Sequence, residues 1–311
     1  MICFGFDTSN YTTSAAAFGD GIALNESRLL PVPDSARGLR QSDAVFHHVR
    51  ALPALFASLQ KKAGRRAEAV AVSVSPRRAE DSYMPCFLAG VNAAEVLAAG
   101  LGVPLFRFSH QEGHLAAAAY SAGRLSLLKE PFLAWHLSGG TTELLFCTPG
   151  EGASLQAERI GGTKDISAGQ CVDRAGVAMG LSFPAGKEIE ALSLSGRAPK
   201  LYRTGRDGLY FHLSGMENQF QDLIRRGEPH ENVAAFVLES LTRLIVETTG
   251  EALSLHPGLP VLCSGGVMSC RSLAEEMRRR FGAYTAEPSL SRDNALGIAI
   301  LGNLAAGGDG V

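Results

Sequence analysis

Apolar positions along this chain fall into short continuous runs, separated by stretches with helical spacing. Residues 2–6 are such a run, followed by the polar turn Asp7-Thr8-Ser9-Asn10-Tyr11-Thr12-Thr13 and a second run at 14–18. Residues 132–147 repeat the plan, with runs at 132–137 and 143–147 around the turn Ser138-Gly139-Gly140-Thr141-Thr142. Each predicts a hairpin whose turn is rich in small hydroxyl residues or glycine. Residues 44–61 carry apolar side chains at helical spacing, 69–74 read as a buried strand, and 85–100 as a helix. Helices are predicted at 166–180, 231–253, 271–280 and 294–305. The strand 261–263 runs into Ser264-Gly265-Gly266-Val267, a glycine turn ahead of a helix. Two similar hairpins, each opening a half of an alternating α and β pattern, suggest a duplicated lobe.

Composition sharpens this picture. A chain of 311 residues is long for one core and favours two domains. With 46% hydrophobic residues, 19% charged residues and 35 glycines, it reads as an α/β enzyme. The formal net charge of −2 gives no overall basic footprint, so a nucleic acid can bind only through a local patch. The six cysteines show no C-x-x-C spacing and mostly lie in apolar runs, as thiols of a reducing compartment do. The chain opens on an apolar run without a basic leader, and no apolar stretch reaches about 18 residues. A cytoplasmic protein without a membrane partner is expected.

The chemistry concentrates in His110-Gln111-Glu112-Gly113-His114. Histidines at i and i+4 share a helix face and can reach one ion, and the alanine-rich run that follows favours a helix. The order differs from H-E-x-x-H, so the general base of a zinc protease is missing, and Glu112 at i+2 lies on another face. Taken alone, such a pair is weak evidence and more often has a structural role. Hydroxyl and glycine turns expose N–H groups and hydroxyls that can surround a phosphate. Asp293 or Asn294 can cap the last helix. The pair Arg77-Arg78 can meet a phosphate of a substrate or of RNA; the competing reading is a solvated loop partly neutralised by Glu80 and Asp81. Lys187 and Glu188 read as solvated flanking residues.

Several segments, in order and spacing, carry a more specific resemblance. They are His110–His114, Leu137-Ser138-Gly139-Gly140-Thr141-Thr142, Ala168-Gly169-Gln170-Cys171-Val172-Asp173, Phe183-Pro184-Ala185-Gly186, Phe211-His212-Leu213-Ser214-Gly215, Ser264-Gly265-Gly266-Val267 and Asp293-Asn294-Ala295. Over nearly its whole length the chain resembles the TsaD family, the tRNA threonylcarbamoyladenosine synthase subunits of the actin-like ATPase (ASKHA) superfamily. The resemblance implies an α/β fold of two ribonuclease-H-like lobes with a central cleft. The expected division is 1–130, carrying the metal helix, and 131–311, carrying the nucleotide-binding turns. It implies metal ligation by His110, His114 and Asp293, with iron or zinc as the divalent ion because imidazole suits both. Ser138, Gly139 and Gly140 are expected to contact phosphate and the carbamoyl group, and Asp7 is a further catalytic candidate. An adenine nucleotide or acyl-adenylate is expected to meet Thr8, Ser9, Leu137, Thr141, Asp173, Gly186, Gly265, Gly266 and Cys270.

The chain also departs from the family pattern. The first turn of the family reads like E-T-S-C-D-E-T, and here Tyr11 and Thr12 replace the D-E pair. The G-P-G-x-x-x-G loop is replaced by Ser75-Pro76-Arg77-Arg78-Ala79-Glu80-Asp81. The histidine of S-G-G-H-T is Thr141, and the asparagine after the third glycine turn is replaced around Cys270. These changes point to a divergent paralogue. The leading expectation is a metal-dependent transferase moving a threonylcarbamoyl or related group from an adenylate to an acceptor amine. A tRNA held by a local basic patch and a TsaB-type protein are the expected partners. Two further readings stay open: a catalytically silent nucleotide-binding scaffold beside a true family subunit, and a small-molecule kinase or ATPase of the same superfold. A protease is disfavoured.

Overall fold

A computed structural model describes residues 1–9, 11–31, 39–79, 81–287 and 295–310. The chain forms two compact units, one built from residues 1–130, 148–157 and 289–311, the other from 131–147 and 158–288.

In the first unit, the apolar run at the N-terminus becomes β1 (Cys3–Asp7), paired antiparallel with β2 (Thr12–Gly19), which pairs with β3 (Ile22–Leu29). Helix α1 (Gln41–Ala63) leads to β4 (Ala69–Ser75), which lies parallel to β1. Helix α2 (Phe87–Leu101) leads in turn to β5 (Leu105–Ser109), parallel to β4. The sheet order is β3-β2-β1-β4-β5. Phe4, Phe6, Val70 and Val72 of its central strands pack with Leu52 and Leu59 of α1 and Ala94 of α2. Helix α3 (His110–Ser121) follows β5 directly.

The second unit repeats this plan. β6 (Phe132–Leu137) pairs antiparallel with β7 (Thr142–Pro149), and β8 (Leu155–Thr163) extends the sheet. After α4 (Ala168–Ala178) and α5 (Gly186–Ser193) come β9 (Tyr210–Phe211), α6 (Ser214–Arg225) and α7 (His230–Leu255). The chain then returns to β10 (Val261–Ser264), parallel to β6. Helix α8 (Arg271–Phe281) and β11 (Tyr284–Thr285) follow, giving the order β11-β10-β6-β7-β8-β9. Apart from the short β9 at one edge, this is the order of the first sheet, and both central hairpins are those the sequence echo marked. The two sheets are therefore ribonuclease-H-like. Trp135, Leu137, Phe211, Phe220, Phe236 and Ile245 form the core, with Trp135 Nε1 donating to Thr249 Oγ1 at 2.9 Å.

The last helix, α9 (Leu296–Ala305), packs on β1, β2, β4 and α3. It therefore belongs to the first unit, whereas a single cut at 130/131 assigns it to the second half. Close approach between small residues explains the placement. A Cβ at Gly302 would lie 2.5 Å from Cys3 Sγ and Ala71 Cβ, and one at Gly5 would lie 2.6 Å from Ala299 N. Helix α9 is apolar all round, and its described residues up to Asn303 are buried. That is how a helix pressed into a core reads.

Candidate functional site

Helix α3 begins where β5 ends, and Ser109 caps it. The Ser109 hydroxyl accepts from Glu112 N at 3.3 Å, while Glu112 returns a carboxylate to Ser109 N at 2.7 Å, forming a capping box. This start places His110 and His114 one turn apart on one face. Their Nε2 atoms lie 2.9 Å from each other. That is a hydrogen-bond distance between the two rings, and a small opening to about 3.4 Å would let both nitrogens lie about 2.1 Å from one tetrahedral ion. Nδ1 of His110 lies 2.8 Å from Asp7 Oδ2. A carboxylate there keeps the proton on Nδ1 and leaves Nε2 as a lone-pair donor, the arrangement common behind metal-bound imidazoles.

Asp7 is fully buried at the end of β1. Burial alone would raise its pKa, but the charge of His110, the hydrogen bond to it and the Ser9 N–H together hold the carboxyl below its ordinary value. The structure thus joins Asp7 to the histidine pair, a link its sequence position did not suggest. The i to i+4 spacing gave the pair, but its partner lies 103 residues away. Among the described residues no third metal-binding side chain joins the two histidines. Asp293 and Asn294 lie outside the described residues. The donor set present, two imidazoles with a carboxylate behind one of them, fits a divalent metal.

The first turn differs from an open phosphate cradle. Thr8 and Ser9 are buried. The Thr8 hydroxyl donates to Cys86 O at 3.0 Å and accepts from Gly90 N at 3.1 Å, so it anchors α2. Arg78 has a partner outside its loop: its Nη2 lies 3.1 Å and its Nε 3.4 Å from the Glu112 carboxylate. Arg78 is exposed, as the solvated-loop reading expects, while the buried Glu112 carboxylate is its partner outside the loop. Ser75, Arg77, Arg78 and Ala79 line an open depression of about 350 Å³.

In the second unit the turn after β6 carries Ser138, Gly139, Gly140 and Thr141, and Gly169 and Gly265 approach it and the strand end before it. The N–H groups of Gly139 and Gly140 have no partner among the described residues, and the space beside each Cα is open. Thr141 N donates to Ser138 Oγ at 3.1 Å, which closes the turn. The N-terminus of α4 supports it: Gly169 N donates to Ser138 O, Ser167 Oγ to Gly139 O, and Ala168 N to Thr142 Oγ1. These amides are thus engaged by the turn, and the helix offers an incoming anion its dipole. A Cβ at Gly169 would lie 2.6 Å from Gly139 Cα, so only glycine permits this approach.

Gly265 stands against the same strand end. Its φ is 98°, and a Cβ there would stand 2.2 Å from Leu137 O; both require glycine. The side chain of Leu137 itself is core. Gly266 opens the next turn and is exposed. Asp173 is half-buried, and its Oδ1 accepts from Ala185 N at 2.9 Å, which fixes the entry to α5 at Gly186. Glu190 Oε1 accepts from Arg271 N at 2.6 Å, linking α5 to the start of α8 beside the half-buried Cys270. Lys187 and Glu188 are exposed, as expected. Asp165 went unremarked in the sequence. It accepts from Leu213 N and Ser214 N at the start of α6. Burial would raise its pKa, but hydrogen bonds from Ser214, Leu213 and Thr163 hold it well below the carboxylate range.

The family model for TsaD, tRNA N6-adenosine threonylcarbamoyltransferase, matches residues 35–300. The chain belongs to the TsaD family. A relative described as tRNA N6-adenosine threonylcarbamoyltransferase, from Methanopyrus kandleri, is 30% identical over 98% of this chain and 87% of its own length. Among solved structures, full-length HypF in its phosphate- and nucleotide-bound form is similar over 99% of this chain and 56% of that one. Its TM-score is 0.64 at 14% identity. Component A of (R)-2-hydroxyglutaryl-CoA dehydratase from Acidaminococcus fermentans matches over 98% and 99% of the two chains, with a TM-score of 0.54 at 11% identity. These likenesses identify the fold as that of the ASKHA superfamily. Among the described residues no helix is long and apolar enough to cross a membrane.

Proposed function

We propose that this TsaD-family chain is a metal-dependent transferase that moves a threonylcarbamoyl group, or a related carbamoyl-type group, from an adenylate to an acceptor amine. The observation that carries the reading is the convergence of His110 Nε2 and His114 Nε2, with Asp7 behind His110. His110, His114 and Asp293 would hold iron or zinc, which supplies Lewis acidity and a template when bound. Asp7 keeps the His110 proton on Nδ1. The free amides of Gly139 and Gly140 receive phosphate oxygens of the adenylate or the developing oxyanion. Ser138 and Thr141 shape that turn. Gly265, Gly266, Gly186 and Cys270 border the nucleotide, and Asp173 holds the turn that precedes Gly186. No side-chain nucleophile is required: the acceptor nitrogen bonds to the carbamoyl carbon, the carbon–oxygen bond to phosphate breaks, and AMP leaves.

The acceptor is where this chain departs from its relatives. Tyr11, Thr12, Thr141 and the loop at 75–81 replace family residues, which favours a divergent paralogue acting poorly on the usual tRNA, with or without a TsaB-type partner. The buried first turn favours a second reading, a nucleotide-binding scaffold beside a true TsaD subunit. The kinase reading needs a first-turn carboxylate facing a phosphate, and Asp7 is instead buried against His110. The test is AMP release from threonylcarbamoyl-adenylate with tRNA and with small amines as acceptors. Release with an amine and little with tRNA is expected. Efficient tRNA modification would restore the ordinary family role, and nucleotide binding without AMP release would favour the scaffold.

A further inference from the structure

We infer that Glu112 and Arg78 are positioning residues for the His110–His114 pair, an inference that rests on the metal reading above. The Glu112 side chain is 1% exposed, yet five donors converge on its two oxygens. Oε2 accepts from Ser109 N at 2.7 Å, Ser109 Oγ at 2.7 Å and Arg78 Nε at 3.4 Å. Oε1 accepts from Leu155 N at 2.8 Å and Arg78 Nη2 at 3.1 Å. An ordinary capping box asks one interaction of its glutamate. Here the same carboxylate also ties down the first residue of β8 and the loop after β4.

A carboxylate buried this deeply needs a cation, and Arg78 supplies it with two N–H groups of one guanidinium. The loop carrying Arg78 grips the helix a second time, because Gln111 N donates to Pro76 O at 3.0 Å. The loop closes on itself through Arg77 N to Ser82 Oγ and Ser75 Oγ to Arg77 O. His110 therefore sits in a first turn fixed on both sides, by Ser109–Glu112 before and after it and by Pro76 at its neighbour. His114 sits one turn later, where Gly113 and Gly297 set the distance to α9. A metal site tolerates ligand displacements of only about 0.5 Å. Loosening the first turn should move His110 against His114 without removing either ligand.

Amide chemistry provides the probe. All five interactions need acceptor oxygens, so Glu112→Gln turns one of them into an NH₂ that faces donors. Arg78→Ala leaves the helix cap but removes the cation, and Arg78→Lys keeps the charge without the fork. Full-length metal-free protein is titrated with Co²⁺ against a competing chelator, following the visible ligand-field bands, with thermal melting recorded alongside. Wild type should bind one Co²⁺ per chain, and a variant carrying both His110→Ala and His114→Ala should bind none. Glu112→Gln and Arg78→Ala should bind about 10–100-fold more weakly with shifted bands, and Arg78→Lys should fall between. If Glu112→Gln does not fold, the half-exposed Arg78 still decides the matter. Folded Arg78→Ala protein with wild-type affinity and band positions would overturn the positioning role and leave the metal reading intact. Absence of Co²⁺ binding by wild type would overturn the metal reading, and this inference with it.

Discussion

At the scale of single residues, Asp7 shows how a side chain's role depends on what faces it. Oδ1 accepts from Ser9 N at 3.0 Å and Oδ2 meets His110 Nδ1. Asp7→Asn would present an NH₂ to one of these N–H groups, so either the turn or the His110 tautomer must change. Metal affinity should drop about 10–100-fold with little loss of adenine-nucleotide binding; isothermal titration of both ligands checks this. Asp173→Ala removes the acceptor of Ala185 N and frees the turn before Gly186, so it should weaken nucleotide binding and spare the metal. His48 tests a different property. It is buried on α1, its Nδ1 is 2.8 Å from Thr13 Oγ1, and its Nε2 has no partner among the described residues. Burial, only partly offset by Asp7, pushes its pKa down from 6.5 to about 4. The unfolded chain then binds the proton more readily, so stability is intact above pH 6.5 and falls as pH drops toward 4. Between pH 7.5 and 5 this amounts to at most about 2 kcal/mol. Urea denaturation should show His48→Asn losing less over that interval; equal losses would remove His48 as the cause.

At the scale of elements, the contact between α3 and α9 explains the glycine in the His110–His114 motif. A Cβ at Gly297 would stand 1.8 Å from Gly113 O, while one at Gly113 would meet the flexible end of Ile298 at 2.9 Å. Gly297→Ala must therefore force the helices apart and should cost at least about 2 kcal/mol, with Gly113→Ala costing less. Thermal denaturation ranks the two, and the reverse order would contradict this packing. Central elements were legible in the sequence because both faces are buried: the two hairpins, β4, β10 and α7 all show as apolar runs or helical spacing. The strands missed were β3, β5, β8, β9 and β11. β3 reads Ile-Ala-Leu-Asn-Glu-Ser-Arg-Leu and lies at an edge, largely exposed, so it lacks the apolar run that marked β1. Helix α6 did carry a signal, with buried Met216 and Phe220 four residues apart. Asp165 at its start was invisible because its partners are backbone amides 48 and 49 residues away. Its pKa is depressed, so its contribution is present above the ordinary carboxylate range and lost as pH falls below it.

At the scale of the whole molecule, one strand plan is used twice, and each copy places different chemistry at the end of its central strands. In the first unit β1 ends at Asp7, behind the histidine pair; in the second β6 ends at Leu137, ahead of a turn with free amides. The sequence echo announced the repeat but not this division, because the Asp7–His110 link is tertiary. On the proposed function, transfer from an adenylate needs the histidine pair. The most direct measurement is AMP release from threonylcarbamoyl-adenylate with an acceptor amine. It compares metal-loaded wild type, chelator-treated wild type and the variant carrying both His110→Ala and His114→Ala. The loaded wild type should release AMP, lose that release on chelation and recover it when metal is returned, and the folded variant should release none at any metal concentration. Release by the variant at the wild-type rate, or release unaffected by chelation, would contradict this.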